Sequence, residues 1–158
     1  MDAREDDLAG DDLDTWSAFA TVLEWLPPAL DAQLLADSQL THFEYGILYA
    51  LANAPERALR MSVLAGYANS TLSRLSRAVS RLEARGWITR MPDPGDGRST
   101  LAALTEDGWC RYAQATPGHV TNVRRLVLDS LTQPQKKQLR EISDRISASI
   151  RDGGGWRP

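Results

Sequence analysis

Cysteine and histidine are almost missing from this sequence, which has one cysteine, Cys110, and two histidines, His42 and His119, among its 158 residues. A lone cysteine excludes an intrachain disulfide, and so few soft ligands leave no cluster with metal-ligand spacing. We therefore expect no metal and no cofactor, in a protein of the reducing cytoplasm. No neighbouring motif gives Cys110 a role.

Long apolar runs are also missing. The longest nearly apolar stretch, Ile47 to Ala54, is well short of the roughly 20 residues that a membrane-spanning helix needs. A secretion signal begins with a basic segment that is followed by an apolar one. The first residues here are acidic, so we expect no secretion signal. The sequence also has no nucleophile motif, glycine-rich phosphate loop or histidine-carboxylate pattern, and we therefore expect no enzyme.

What the sequence does have is an uneven charge distribution beneath a net charge of -3. Residues 1–54 hold eleven acidic residues and one basic residue, whereas residues 55–98 hold eight arginines and four acidic residues. Residues 99–158 hold nine basic and six acidic residues. Only the charge that faces a polyanion determines its attraction, so the middle block is where an anionic partner is expected.

The N-terminal third is predicted to be helical after an acidic, solvated tail over residues 1–12. From Leu13 onward, Pro27 and Pro28 leave open whether the chain forms one bent helix or two short ones. Thr41 and Glu44 have the spacing of a capping box, which predicts that the next helix begins there. Apolar residues recur before it at the period of one helical face: Trp16, Phe19, Leu23, Leu26, Leu30 and Leu34.

The central segment predicts two helices separated by a tight turn. A break over residues 54–58 precedes a short helix over residues 61–68, and residues 66–70 supply the turn. The helix over residues 70–86 has two faces, of which one is expected to pack and the other to stay free. The packing face carries Leu72, Leu75, Val79 and Leu82, and the free face carries Arg74, Arg77, Arg81 and Arg85.

The last third predicts a hairpin and two helices. Gly86 ends the basic helix, and β-prone runs over residues 87–91 and 99–104 bracket a loop rich in proline and glycine. Thr105 begins a helix, and Thr132 with Gln135 repeats the capping-box spacing before another. His119, in a Pro-Gly-His run, is interpreted as a loop histidine. Residues 152–158 are expected to fray.

This order of elements is that of a winged helix-turn-helix, a mainly α fold with a small β-hairpin wing. A recognition helix lays its free face in the major groove, where arginine can donate two hydrogen bonds to guanine. Arg81 and Arg85, farther along, are expected to contact backbone or form ion pairs. Arg98 suits the minor groove, with Asp96 either holding it or forming the turn. The predicted DNA-binding residues are Asn69, Ser70, Thr71, Ser73, Arg74, Arg77, Arg81, Asp96 and Arg98.

From about Trp16 to Ile150 the sequence resembles the MarR family, the multiple antibiotic resistance regulators. The likeness rests on four passages: LTHFEY (40–45), RMSVLA (60–65), SRAVSRLEARG (76–86), and DPGDGR through LTEDG (93–108). The resemblance implies an obligate dimer whose first and last two helices interlock, a palindromic operator, and the wing pair Asp96 and Arg98. It assigns residues 13–151 to one domain, with dimerisation helices over 13–40 and 105–151 and the winged helix-turn-helix over 41–104. Gly95 and Gly97 loosen this wing relative to members with arginines there.

We therefore expect a homodimeric repressor that binds a pseudo-palindromic operator in double-stranded DNA and is released by a small aromatic or phenolic effector, as the resemblance implies. An alternative is a winged-helix module whose basic face binds a protein or RNA. Several aromatic residues are candidates for an effector pocket, although aromatics at helical spacing more often belong to the core or a dimer interface: Trp16, Phe19, Trp25, His42 and Tyr45.

Overall fold

The structure, a computed structural model, describes residues 7–150. The predicted frayed segment over residues 152–158 and the first half of the predicted acidic tail lie outside these residues. The helices and strands follow in the order α1 (Gly10–Ser38), α2 (His42–Ala52), β1 (Ala58–Arg60), α3 (Met61–Tyr67), α4 (Leu72–Ala84), β2 (Ile88–Asp93), β3 (Asp96–Leu104), α5 (Glu106–Val123) and α6 (Gln133–Ile150).

Helix α1 is one continuous helix that runs through Pro27 and Pro28, which resolves the alternative of two short helices. It begins at Gly10, so the predicted tail boundary at residue 12 is wrong by three residues. Asp11 and Asp12 lie in the first helical turn, where the positive end of the helix dipole favours carboxylates. Their charge therefore supports the helix instead of keeping the chain unfolded.

The predicted capping residues begin the helices that follow. The Thr41 hydroxyl accepts the Glu44 amide at 3.1 Å, and the Glu44 carboxylate accepts the Thr41 amide at 3.0 Å. The Thr105 hydroxyl likewise accepts the Gly108 amide at 3.0 Å, at the start of α5. At the third site the Gln135 side chain accepts the Thr132 amide at 2.8 Å. These bonds satisfy amides that have no partner within the first helical turn.

The predicted hairpin is part of a three-stranded antiparallel sheet with the order β1-β3-β2. Thr89 of β2 pairs with Ala103, and Leu59 of β1 pairs with Ala102 on the other edge of β3. Strand β1 was not predicted, since its first residue falls in the predicted break over residues 54–58. Three residues are too few to display the alternation by which a strand is recognised, so β1 is set by its partner strand.

The core lies where α2, α3 and α4 meet the sheet. Leu75, Val79 and Leu82 of α4 are fully buried, which confirms most of the predicted packing face. Leu72, the fourth member, is instead 54% exposed. It is the first residue of α4 and lines a groove towards the wing, where no element covers it. The other fully buried leucines are Leu34, Leu40, Leu48, Leu51 and Leu64.

Two helices keep large apolar surfaces exposed in the single chain. Helix α6 has no buried residue between Gln133 and Ile150, although Leu139, Ile142 and Ile150 lie on one face. On α1, Trp25 is 75% exposed.

Helix α5 continues through Pro117 and ends in a π-helical turn over Arg124–Leu128.

Gly108 provides a test of the junction between α5 and the sheet. A β-carbon there would lie 2.0 Å from the Trp87 carbonyl oxygen, which is backbone and cannot rotate away. We expect Gly108→Ala to lower the free energy of unfolding by about 1–3 kcal/mol or more, seen as a fall in Tm.

The matched control is Gly46→Ala in helix α2, where an added β-carbon meets nothing within 4 Å. Replacing a helical glycine without a clash is expected to raise stability by about 0.4–1 kcal/mol. Equal melting temperatures for the two variants would contradict the close approach at Gly108.

Candidate nucleic-acid interface

Helices α3 and α4 form a helix-turn-helix. Asn69 takes a left-handed backbone conformation in the turn (φ 43°), and the Ser70 hydroxyl donates to the Thr71 carbonyl at 3.1 Å. The Thr71 hydroxyl then accepts the Arg74 amide at 3.2 Å and begins α4. Asn69, Ser70 and Thr71 thus build the start of the helix, and Ser73 is exposed beside them.

The predicted arginine face of α4 is exposed along its length. Within residues 7–150, the guanidinium of Arg77 forms no hydrogen bond or ion pair, and the residue is exposed on the wall of an open cavity of about 500 Å³ between α4 and the start of α2. Arg74 is held more closely, because its guanidinium lies over the Phe43 ring with 4.4 Å between Cζ and the ring centroid. Arg77 is therefore the arginine of this face whose guanidinium is available to bind a ligand without first leaving a protein partner.

Arg81 and Arg85 are occupied by protein partners. Arg81 Nε donates to Glu44 Oε1 at 2.8 Å. Arg85 donates to the Gln39 carbonyl at 2.6 Å and lies over the Trp87 ring. Arg81 lies in the C-terminal half of α4 and Arg85 is the capping residue at its C-terminal end, where ion pairing was open as an alternative to contact with the DNA backbone. Glu44 was recognised from the sequence as a capping residue, but no local signal links it to an arginine 37 positions away.

The base of the wing is joined to α4 by Arg90, which the sequence analysis missed. Its guanidinium donates to the Glu83 carboxylate at 2.7 and 2.9 Å and to the Ser80 hydroxyl at 2.8 Å. These bonds from Arg90 hold the pKa of Glu83 below its usual range. Multiple charge-assisted bonds fix geometry well, so the wing and α4 present their outer surfaces as one rigid unit.

At the tip of the wing, Asp96 acts on backbone. Its carboxylate accepts the Arg98 amide at 3.2 Å and the Ser99 hydroxyl at 2.9 Å. The described residues show no ion pair between the side chains of Asp96 and Arg98, so Asp96 is the turn-forming aspartate of the two alternatives. The Arg98 side chain remains exposed.

A second acidic residue braces the strands below the tip. Asp93 accepts the Gly95 amide at 2.8 Å and the Arg60 guanidinium at 2.5 Å. The amide of Gly95, with a further contribution from Arg60, lowers the pKa of Asp93 below its usual range. Arg60, at the end of the unpredicted strand β1, is thereby positioned beside the wing.

A groove of about 310 Å³ separates α4 from the wing. Basic and hydroxyl side chains dominate its walls, which suits a phosphate backbone since arginine and hydroxyl groups are usual phosphate donors. The polar lining residues are Arg60, Ser62, Ser76, Arg90, Arg98, Ser99 and Thr100.

A separate cavity of about 460 Å³ lies between α2 and α5. His42 and Tyr45 line it, as two of the predicted effector-pocket residues, and Tyr49, Tyr67 and His119 complete its aromatic wall. Trp16 and Phe19 lie elsewhere on α1, in ring contact with each other, and do not line this cavity.

His119 is the central residue of this cavity that sequence analysis misplaced. It is 8% exposed within α5, not in a loop, because the helix accommodates Pro117. Its ring centroid lies 4.3 Å from that of Tyr45 and 5.6 Å from that of His42. Burial, with a smaller contribution from His42, lowers the pKa of His119. Burial also lowers the pKa of His42, against the opposing charge of Asp31.

These histidines predict acid sensitivity. A histidine whose folded pKa is lowered stays neutral in the folded protein but binds a proton when the chain unfolds, so stability is lost as pH falls below the unfolded value of 6.5. The free energy of unfolding should fall by up to about 1.4 kcal/mol per pH unit for buried His119, and by less for His42, which is more exposed than His119. Urea unfolding between about pH 7 and pH 5 measures this slope.

The matched variant is His119→Gln, whose free energy of unfolding should depend less on pH between about pH 7 and pH 5. Glu83 and Asp93 act at lower pH, since their pKa values are lowered from 4.5 and 3.8 and the stability they contribute is lost as pH falls through the lowered values. An unchanged slope in His119→Gln would mean that other groups carry the acid response. The charged groups that face the two histidines are Asp31, beside His42, and Arg124, on the cavity wall.

Within residues 7–150, no three histidine, cysteine or acidic side chains cluster closely enough to hold a metal ion. No helix in this range has the length and hydropathy to cross a membrane. Cys110 is exposed on α5.

A short helix, a turn, an exposed basic helix and a wing joined rigidly to it define a winged helix-turn-helix protein. The sequence profile of the MarR family matches residues 38–99. The MarR family regulator Sco3205 of Streptomyces coelicolor is 39% identical and superimposes with a TM-score of 0.90 over 93% of this chain and 96% of Sco3205. The chain belongs to the MarR family.

Two further relatives fit this assignment. AbsC of Streptomyces coelicolor, another MarR family transcriptional regulator, is 28% identical, with a TM-score of 0.88 over 93% of this chain and 99% of AbsC. The transcriptional regulator PecS of Dickeya dadantii is 35% identical over 78 residues, which make up 49% of this chain and 46% of PecS. The match therefore spans less than half the length of that curated relative.

Proposed function

We propose that this protein is a homodimeric, sequence-specific regulator that binds double-stranded DNA in the cytoplasm and represses transcription from a pseudo-palindromic operator. The observation that carries the proposal is the free guanidinium of Arg77 on an exposed recognition helix, beside a groove lined with arginine and hydroxyl groups. Sco3205, which shares the whole fold at 39% identity, was crystallised in complex with DNA. That likeness supports duplex DNA as the ligand here.

Each part of the interface has a proposed role. Arg77, Arg74 and Ser73 face the base edges of the major groove, with Thr71, Ser70 and Asn69 at the leading end of the helix. Arg98 enters the adjacent minor groove, whose narrow A·T tracts attract guanidinium groups. Asp96 shapes the turn that presents Arg98.

The proposed dimer forms through α1 and α6, within the segments 13–40 and 105–151 assigned to dimerisation. Helix α6 buries none of its residues in the single chain, and Trp25 of α1 is 75% exposed. A groove of about 500 Å³ between α1 and the chain leading to α6 is mainly apolar, with Val22, Leu126 and Leu131 in its walls. A second copy of the same chain supplies matching apolar faces, because a two-fold interface is self-complementary.

The cavity at His42, Tyr45 and His119 is the proposed site of a small aromatic or phenolic effector. Its volume of about 460 Å³ falls in the range of small-molecule sites, and its aromatic wall suits a planar ligand. His42 and Tyr45 belong to the helix whose first turn contacts the arginines of α4. An effector that fits one arrangement better than another would therefore bias the DNA-binding surface.

Selection of the purified protein against a random duplex library tests the proposal. We expect enrichment of a pseudo-palindrome with half-sites about 10 base pairs apart, one helical turn. If each protomer neutralises about four phosphates, log affinity should fall with log salt at a slope of roughly -7 for the dimer. Absence of salt-sensitive duplex binding would favour a winged-helix module for a protein or RNA.

A further inference from the structure

The outward face of α4 carries three arginines, and the first turn of α2 contacts two of them but not the third. The first turn of α2 places the Phe43 ring against Arg74 and the Glu44 carboxylate against Arg81. Arg77, which lies between them on the helix, has no side-chain partner in the described part of the chain. The start of α2 therefore holds the outer two arginines and leaves the middle one free.

The bond to Arg81 is asymmetric. The Glu44 side chain is 4% exposed, whereas that of Arg81 is 56% exposed. One carboxylate oxygen of Glu44 accepts the Thr41 amide at 3.0 Å, and the other accepts Arg81 Nε at 2.8 Å. A buried carboxylate that loses its cation is costly, so the bond to Glu44 fixes the Arg81 guanidinium through Nε and limits where its other nitrogens can reach.

We propose that Glu44 is a positioning residue that withholds Arg81 from the DNA backbone and so limits the sequence-independent part of the affinity. The proposal rests on the DNA-binding function proposed above. Phosphate contacts add affinity on every sequence, whereas base contacts discriminate. With Arg81 held on Glu44, each protomer makes one phosphate contact fewer than its exposed arginines would allow, and binding depends more on Arg77.

The first variant is Glu44→Gln, which removes the charge but keeps an oxygen to accept the Thr41 amide and cap α2. Freed from a carboxylate, Arg81 can bind a phosphate. We expect the slope of log affinity against log salt to steepen by about 0.9 per protomer, and binding to tighten equally on operator and random duplex. A loss of packing alone would weaken binding and leave the slope unchanged.

The second variant is Arg81→Ala, which leaves the buried Glu44 carboxylate without its cation, so its melting temperature is measured alongside its DNA binding. If Arg81 is withheld from DNA, this change leaves the salt slope of the parent protein intact. Combining it with Glu44→Gln should return the steeper slope to the parent value. The matched control is Arg77→Ala, which should cost about 1–3 kcal/mol on the operator if that arginine reads a base.

Three outcomes overturn the inference. A slope shallower by about one unit per protomer in Arg81→Ala would mean that Arg81 already contacts phosphate. An unchanged slope in Glu44→Gln, with weaker binding, would make Glu44 a structural residue only. Absence of salt-dependent DNA binding in the parent protein would refute the proposed function as well. Failure of the Glu44 inference alone would leave that binding intact, so the two failures can be told apart.

Discussion

Replacing both Arg77 and Arg98 by alanine is expected to lower affinity for the selected operator by roughly 30-fold to 10⁴-fold. Each arginine should contribute about 1–3 kcal/mol if it contacts a base edge or a narrow groove, and each 1.4 kcal/mol is a factor of ten. Both side chains are exposed and make no side-chain bond within residues 7–150, so their removal leaves the fold intact. Fluorescence anisotropy with labelled operator and random duplexes measures the loss.

The single variants separate the two grooves. Arg77→Lys keeps the charge but loses the two-pronged donor geometry, so it should lose affinity on the operator and little on random DNA. Arg98→Ala should lose most on operators with A·T-rich flanks, where the minor groove is narrow. Arg140→Ala, which removes the same charge from exposed α6, is the control and should change neither affinity.

Equal losses on operator and random duplex would reassign Arg77 to the DNA backbone. A fall in melting temperature in the double variant would show instead that one of the two side chains supports the fold. The prediction therefore distinguishes base reading, backbone binding and stability by three separate measurements.

The fold was predictable where a local rule acts over a few residues. Thr41 with Glu44 and Thr105 with Gly108 form their helix starts as expected, because a side-chain acceptor three residues away is a local device. The row of Leu75, Val79 and Leu82 is buried for the same kind of reason, since the helical period puts it on one face.

The site was less predictable, because its pairs join distant segments. Arg81 and Arg77 are equivalent by helical period, yet only Arg81 meets Glu44 of α2. Arg90 was missed because nothing in the β-prone run around it indicates that it turns back to Glu83. His119 was assigned to a loop because Pro117 usually ends a helix, whereas α5 continues through it. Such pairings follow from tertiary packing, which a single sequence does not display.

The resemblance to the MarR family supplied expectations that local rules cannot give, namely a dimer, a palindromic operator and an effector. Winged-helix class followed from the order of elements, and family membership is now shown by Sco3205 and by the match over residues 38–99. Even so, the relation between the aromatic cavity and the DNA-binding surface came from the structure. One turn of α2 contacts both, through His42 and Tyr45 on one side and Phe43 and Glu44 on the other.

The second large effect concerns the dimer, through Ile142→Glu on α6. Ile142 is 53% exposed in the single chain and lies on the apolar row of a helix that buries none of its own residues. A carboxylate there should leave the protomer folded but oppose burial against a second copy, because an unpaired charge in an apolar interface is strongly disfavoured. We expect monomers in analytical ultracentrifugation where the parent protein is a dimer.

The consequence for DNA binding should be larger than that of losing any one contact. A monomer engages one half-site, whereas a dimer gains the second at a high effective concentration, typically about 10²-fold to 10⁴-fold in affinity. Ile142→Glu should lose this factor on the full operator and almost nothing on a single half-site. Ala148→Glu introduces the same charge on the opposite face of α6, so it should stay dimeric and bind the operator as the parent protein does. A parent protein that sediments as a monomer, or an Ile142→Glu variant that stays dimeric, would mean that α6 meets another partner.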